Sequence, residues 1–200
     1  TFPLTLSTGD PNTVIRYFLV TNATSAALTN VPNASSPIYT GPLNINSSVQ
    51  VRARAYSTAP NTFPSAPASQ TYLLLSPGAA SFTSDLPIVL LHNFTGGTPP
   101  ASVDQSAVMM VFGTEFGRAS LTNPPDTVAR IGMNIRGSST EGFAKKSFAV
   151  ETWDAFNDDL AVPVLGMPAE SDWVFYAPNY FDKPWIHNPL MHELSRSVGR

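Results

Sequence analysis

The chain contains no cysteine, which excludes disulfides, thiolate metal sites and a cysteine nucleophile. Charge is scarce as well. Asp, Glu, Lys and Arg make up 12% of the residues, against roughly 25% in ordinary soluble domains. Lysine and arginine form no basic cluster anywhere along the sequence, so neutralisation of a phosphate backbone, and with it nucleic-acid binding, is not expected. No apolar run approaches the ~20 residues that a membrane-spanning helix needs. Common catalytic signatures are missing too: there is no Walker A pattern and no Gly-x-Ser-x-Gly elbow. The segment His192-Glu193-Leu194-Ser195-Arg196 opens like a zinc-protease helix, but Arg196 stands where the second histidine would have to be.

What is present is strand-forming sequence broken by turns. Hydrophobic residues reach 42% and prolines number 19, a composition that argues against disorder and favours strands over solvated helices. Residues 1–76 read as short strands. Val14 to Val20 is one, and Val49 to Tyr56 is the clearest. There Val49, Val51, Ala53 and Ala55 share one face while Gln50, Arg52 and Arg54 take the other. That period of two predicts a half-buried strand. Strands at this spacing predict an immunoglobulin-like β-sandwich. Ser76 to Ala80 reads as a linker, giving a division into residues 1–76, a linker at 77–81, and residues 82–200. Beyond it, Leu86–His92, Ala107–Phe112, Thr127–Arg136, Lys146–Trp153 and Trp173–Tyr176 are predicted strands. A helix is predicted at the end, with Asn188 as its cap, Pro189 in its first turn, and Leu190, Leu194 and Val198 as an apolar stripe. Gly199 is its stop. With Thr1 first and Arg200 directly after this helix, the chain reads as part of a longer protein.

The run from Ile135 to Phe148 concentrates the chemistry. Arg136 shares a strand face with Asn134, and the small residues from Gly137 to Gly142, Ser138 and Ser139 among them, offer backbone N–H groups that can form an anion nest. Lys146 lines up with Phe148 and Val150, and Lys145 with Ser147 and Ala149. A lysine with apolar neighbours on a sheet face suits contact with nucleotide phosphates. A salt-bridged surface hairpin fits the same spacing. Elsewhere, Asp154, Asn157, Asp158 and Asp159 offer oxygen ligands for Ca²⁺, but their spacing does not fit an EF-hand loop and a solvated turn accounts for them better.

Two resemblances add to this reading. Ile15-Arg16-Tyr17, Ser36 to Pro42 and Val49 to Ala55 resemble the chitobiase C-terminal or fibronectin-III-associated module over residues 8–75. A longer Thr21-to-Ala34 segment replaces that module's short turn. Asp85-Leu86-Pro87-Ile88-Val89, Ile135 to Ser139, Lys145 to Phe148, Leu165 to Trp173 and Asn188 to Arg196 resemble, in order, the CotH family of spore-coat protein kinases over residues 82–200. His187 stands where many relatives carry arginine.

The implied fold is mainly β plus α+β: a β-sandwich followed by the N-lobe portion of a divergent protein-kinase-like domain. The implied activity is phosphorylation of Ser or Thr on surface or coat proteins, outside the cell or at its surface, using ATP with Mg²⁺. Arg136, Lys146, Lys145, Ser138 and Ser139 would contact the ATP phosphates, and Glu193 would position the lysine as in ordinary kinases, a solvated helix acid being the alternative reading of Glu193. The family's catalytic aspartates lie beyond this N-terminal part, so these residues alone would not transfer phosphate. The alternative is a non-catalytic adhesion or matrix protein carrying a degenerate kinase-like domain. No residue pattern indicates the oligomeric state.

Overall fold

The computed structural model describes residues 1–22, 30–95, 97–178, 182–184 and 186–199. Part of the long Thr21-to-Ala34 segment therefore lies outside the described residues. The chain is mostly β. Strands β1 (Phe2–Leu4), β2 (Thr13–Val20), β3 (Leu43–Ile45), β4 (Val49–Ser57) and β5 (Ala68–Tyr72) come first, followed by helix α1 (Pro77–Ser81). Next are β6 (Thr83–Ser84), β7 (Ile88–His92), β8 (Gln105–Phe112), β9 (Ala119–Ser120), β10 (Thr127–Arg136), β11 (Ser147–Trp153) and β12 (Asp172–Phe175). Helix α2 (His187–Ser197) closes the chain.

The first five strands form a small two-layer sandwich. A three-stranded antiparallel sheet in the order β2-β4-β5 faces the β1–β3 pair. Its core holds Ile45, Val49 and Val51, with Leu4, Leu6, Leu43 and Tyr72 packed around them. Of these, Val49 and Val51 are inward residues that the alternation of β4 predicts. The segment read as a linker contains the short helix α1, which Ser76 caps by accepting a hydrogen bond from the Ala79 N–H.

A five-stranded antiparallel sheet follows, ordered β12-β11-β10-β8-β7. Each of its strands alternates, so one face collects Ala107, Met109, Val111, Ala129, Ile131, Met133 and Val150, with Val164 closing over them. On the opposite face the register sets Arg130 beside Trp153 and Gly132 beside Glu151. Gly132 is required there. A Cβ at that position would lie 2.1 Å from Cζ2 of Trp153, so only glycine lets the indole lie across β10.

The expected half-buried character of β4 is corrected by the structure. Gln50 is 1% exposed and Arg52 is fully buried. The five-stranded sheet covers the face on which they sit. A second cluster fills this seam, in which Val20, Phe94 and Val108 are buried and Phe18, Leu73 and Met110 pack against them.

The last helix is also corrected at its start. It begins at His187 after Ile186, and Asn188 does not cap it. The cap is Asp182, whose carboxylate accepts from the N–H groups of Ile186 (3.3 Å) and His187 (3.0 Å). Pro189 still falls in the first turn, where its missing donor costs nothing. Gly199 ends the helix in the left-handed region, φ +75°, as expected. The apolar stripe of Leu190, Leu194 and Val198 packs on nothing that buries it, for no residue of α2 is buried.

Candidate functional site

Strands β10 and β11 pair from Arg130↔Trp153 to Arg136↔Ser147 and deliver Arg136 to the mouth of a hairpin. The chain turns at Gly137, with φ +108°, a conformation that any side chain would strain. A Cβ at Gly137 would also strike Oγ1 of Thr140 at 2.1 Å. A bond from the Phe143 N–H to the Thr140 carbonyl (3.1 Å) tightens the loop. Arg136, Ser138, Ser139 and Lys145 are exposed, and Lys146 is half-buried. Lys146 sits one residue ahead of β11, and its ammonium donates to the carbonyl of Glu141. The five residues assigned to phosphate contact thus share one hairpin.

The surroundings of Arg136 are acidic, which the sequence did not reveal. It lines an open depression of about 220 Å³ together with Asp104, Asn134, Glu151, Asp172 and Trp173. Asp104 accepts a hydrogen bond from the Asn134 amide at 2.6 Å, and Glu151 accepts one from the Trp153 indole at 2.7 Å. Glu151 and Asp172 are cross-strand neighbours. The spacing of Glu151 and Asp172 on two consecutive strands was the available signal, but only the register makes them adjacent.

Glu193, assigned to lysine positioning, is bound elsewhere. It pairs with Arg196 at 2.7 Å, and both side chains are more than two-thirds exposed. Lys146 and Glu193 are not paired in this structure.

The loop with the Ca²⁺-ligand candidates is held by its own hydrogen bonds. Asp154 Oδ1 accepts from the N–H groups of Phe156 (2.6 Å) and Asp158 (3.0 Å), an Asx turn. Asn157 Oδ1 accepts from both Arg130 and Arg52. Asp158 and Asp159 are exposed. Among the described residues no group of three or more His, Cys, Asp or Glu side chains converges as a metal site.

A polar seam between the two sheets went unread in the sequence. Arg130 donates to Gln50 Oε1 (3.1 Å), the Asp154 carbonyl and Asn157 Oδ1. Arg52 donates to the Asn30 carbonyl (2.9 Å), Ser69 Oγ (3.2 Å) and the Ala155 carbonyl, and it stacks over the Phe18 ring. Among the described residues neither guanidinium has a carboxylate within ion-pair distance. Desolvation pulls Arg52 down from its ordinary value to about 9; the charge of Arg130 adds to the effect and Asp154 works against it. Desolvation likewise lowers Arg130 to about 10, again opposed by Asp154.

Among the described residues no helix is long and apolar enough to cross a membrane. No curated protein and no solved structure matches the chain. Residues 4–72, the small sandwich, match the family model described as Fn3 associated.

Proposed function

We propose that the chain is the N-lobe part of an exported CotH-like protein kinase, joined to its fibronectin-associated module, and that the β10–β11 hairpin is the element facing the nucleotide phosphates. The observation that carries this reading is the gathering of Arg136, Ser138, Ser139, Lys145 and Lys146 around one glycine-dependent turn at the end of an antiparallel sheet. In that role Arg136 and Lys146 would hold the phosphates by charge, and the loop N–H groups would donate to the remaining oxygens as a nest. Asp104, Glu151 and Asp172 would repel a bare polyphosphate, so the donor set fits ATP together with Mg²⁺, whose charge carboxylates tolerate. ATP would supply the phosphoryl group, and Ser or Thr of surface or coat proteins would accept it. Residues 1–200 would bind without transferring, because transfer also needs acidic groups that orient the acceptor and hold the metal.

The second reading is a non-catalytic adhesion or matrix protein. It is favoured by the engagement of Lys146 with the Glu141 carbonyl and of Glu193 with Arg196. A thermal-shift titration with ATP and Mg²⁺ separates the two. Ligand at ten times Kd stabilises by about 1.4 kcal/mol, or roughly 3–6 °C for a chain of this size. The kinase reading expects that shift, and expects it to vanish in the Arg136→Ala/Lys146→Ala double variant. An unchanged melting temperature at several millimolar nucleotide favours the non-catalytic reading.

A further inference from the structure

The two edges of the module's three-stranded sheet differ. The outer edge of β2 is covered by the segment around residue 38: the Tyr17 N–H donates to the Pro37 carbonyl (3.1 Å) and the Tyr39 N–H to the Ile15 carbonyl (2.8 Å). Strand β5 pairs only with β4, and among the described residues nothing bonds its outer edge. An open edge is a template for another strand. Beside it lie two clefts of about 370 and 250 Å³. Both are lined by Gln70, Thr71 and Val128, so they run as one trough between β5 and the five-stranded sheet. One end is aliphatic and aromatic, with Leu73, Leu90, Met110 and Phe112. The other holds Arg130 with Gln50, Ser69 and Asp154.

We propose that this trough docks an extended peptide segment, which adds a strand to the edge of β5 and places aliphatic side chains at the Leu73 end and a carboxylate at the Arg130 end. Five residues of β5 span about 17 Å, which sets the length of chain that can pair. Strand addition draws affinity from main-chain hydrogen bonds and specificity from pockets for alternate side chains, and the trough offers both. The carboxylate follows from charge. Buried Arg52 and half-buried Arg130 bring two cations to the seam against the single carboxylate of Asp154, which lies outside ion-pair distance of both, so the seam keeps a net positive charge. Arg130 makes three hydrogen bonds with a group that carries five donors.

The experiment uses the ¹⁵N-labelled 200-residue chain and an acetylated, amidated hexapeptide of alternating Val and Thr that ends in Asp. A companion peptide carries the Asp at the other end, to cover both strand directions. One of the two is expected to slow amide exchange in residues 68–73 and to shift resonances there and at 128–130. Asn in place of Asp is expected to weaken binding at least tenfold, and backbone N-methylation to abolish it. Val128 is half exposed, so Val128→Glu is expected to keep the urea midpoint while losing the peptide by charge repulsion. The proposal is overturned if neither peptide perturbs β5 at millimolar concentration, if the N-methylated peptide binds equally, or if Val128→Glu leaves binding intact. It is overturned as well if succinate or polygalacturonate alone reproduces the perturbation, since the site would then read an anion or an acidic glycan rather than a strand.

Discussion

Arginine is used in two opposite ways in this molecule. In the seam, buried Arg52 and half-buried Arg130 lie between two sheets and are satisfied by neutral oxygens: main-chain carbonyls, amide side chains and a serine hydroxyl. At the hairpin, Arg136 is exposed beside three carboxylates. Both kinds sit at alternating positions on strands, and in sequence they look alike. The difference is what lies opposite. The seam guanidiniums spend most of their donors inside the fold and so act as fasteners between module and sheet. Arg136 is exposed and so can meet a ligand without giving up a contact between the sheets. An arginine on a strand is therefore read by the layer above it, which alternation alone does not supply.

Removing each kind of arginine tests this contrast most strongly. Arg52→Ala strips the seam of a buried stem and leaves the carbonyls of Asn30 and Ala155 without their donor; a loss of about 3 kcal/mol or more is expected in urea unfolding. Arg136→Ala should stay within about 0.5 kcal/mol, as surface substitutions do. Equal losses would erase the distinction between fastener and ligand group. Arg52→Met should fall between them, because it restores the packing and relieves a desolvated charge.

Gly132→Val comes next in size. The added side chain would displace the Trp153 indole from β10, where Cζ2 already lies 2.1 Å from an ideal Cβ, at a cost of about 1–3 kcal/mol. Because Trp153 borders the seam, its emission should shift as well. An unmoved spectrum would show that the indole is not seated on β10.

Asn157→Ala sharpens the account of the seam itself. One oxygen, Asn157 Oδ1, serves both guanidiniums. Its loss should cost about 1–2 kcal/mol. Coupling with Arg52→Met is expected in a double-mutant cycle, and strict additivity would mean that the two do not share the acceptor.

Legibility in the sequence followed the same divide. Strand positions were readable where alternation is strong: β10 runs over Thr127–Arg136 as expected, and β4 includes the whole of Val49–Tyr56. Alternation reports which residues share a face and is silent on what covers that face, so Gln50 and Arg52 looked solvated. The hairpin was legible because its residues are contiguous. Its acidic neighbours were not, since Asp104, Glu151 and Asp172 come from three separate strands or loops that only the register unites. Helix α2 shows a further limit. Asn188 has the right residue type for a cap, but Asp182, four to five residues before the N–H groups it accepts from, does the capping through a backbone path that no local pattern encodes.

The smallest expected effect concerns pH and the apolar half of the seam. Phe94 is fully buried there although its backbone is in the left-handed region, φ +47°, which a bulky residue adopts only when its surroundings hold it. His92 is one of the restraints. Its Nδ1 accepts the Phe94 N–H at 3.1 Å, and its ring meets the Phe94 ring edge-on at 5.2 Å. That hydrogen bond requires the neutral imidazole. Burial lowers the pKa of His92 below its ordinary 6.5, so the unfolded chain takes up the proton first. The contribution is complete above about pH 6.5, is lost as pH falls from there towards the lower folded value, and is constant below it. Urea midpoints measured from pH 7.5 down to 5 should decline in the wild-type chain. His92→Asn retains an acceptor for the N–H two residues ahead and cannot titrate, so its profile should be flatter over that window. Parallel decline of the two would move the origin of the pH dependence away from the seam.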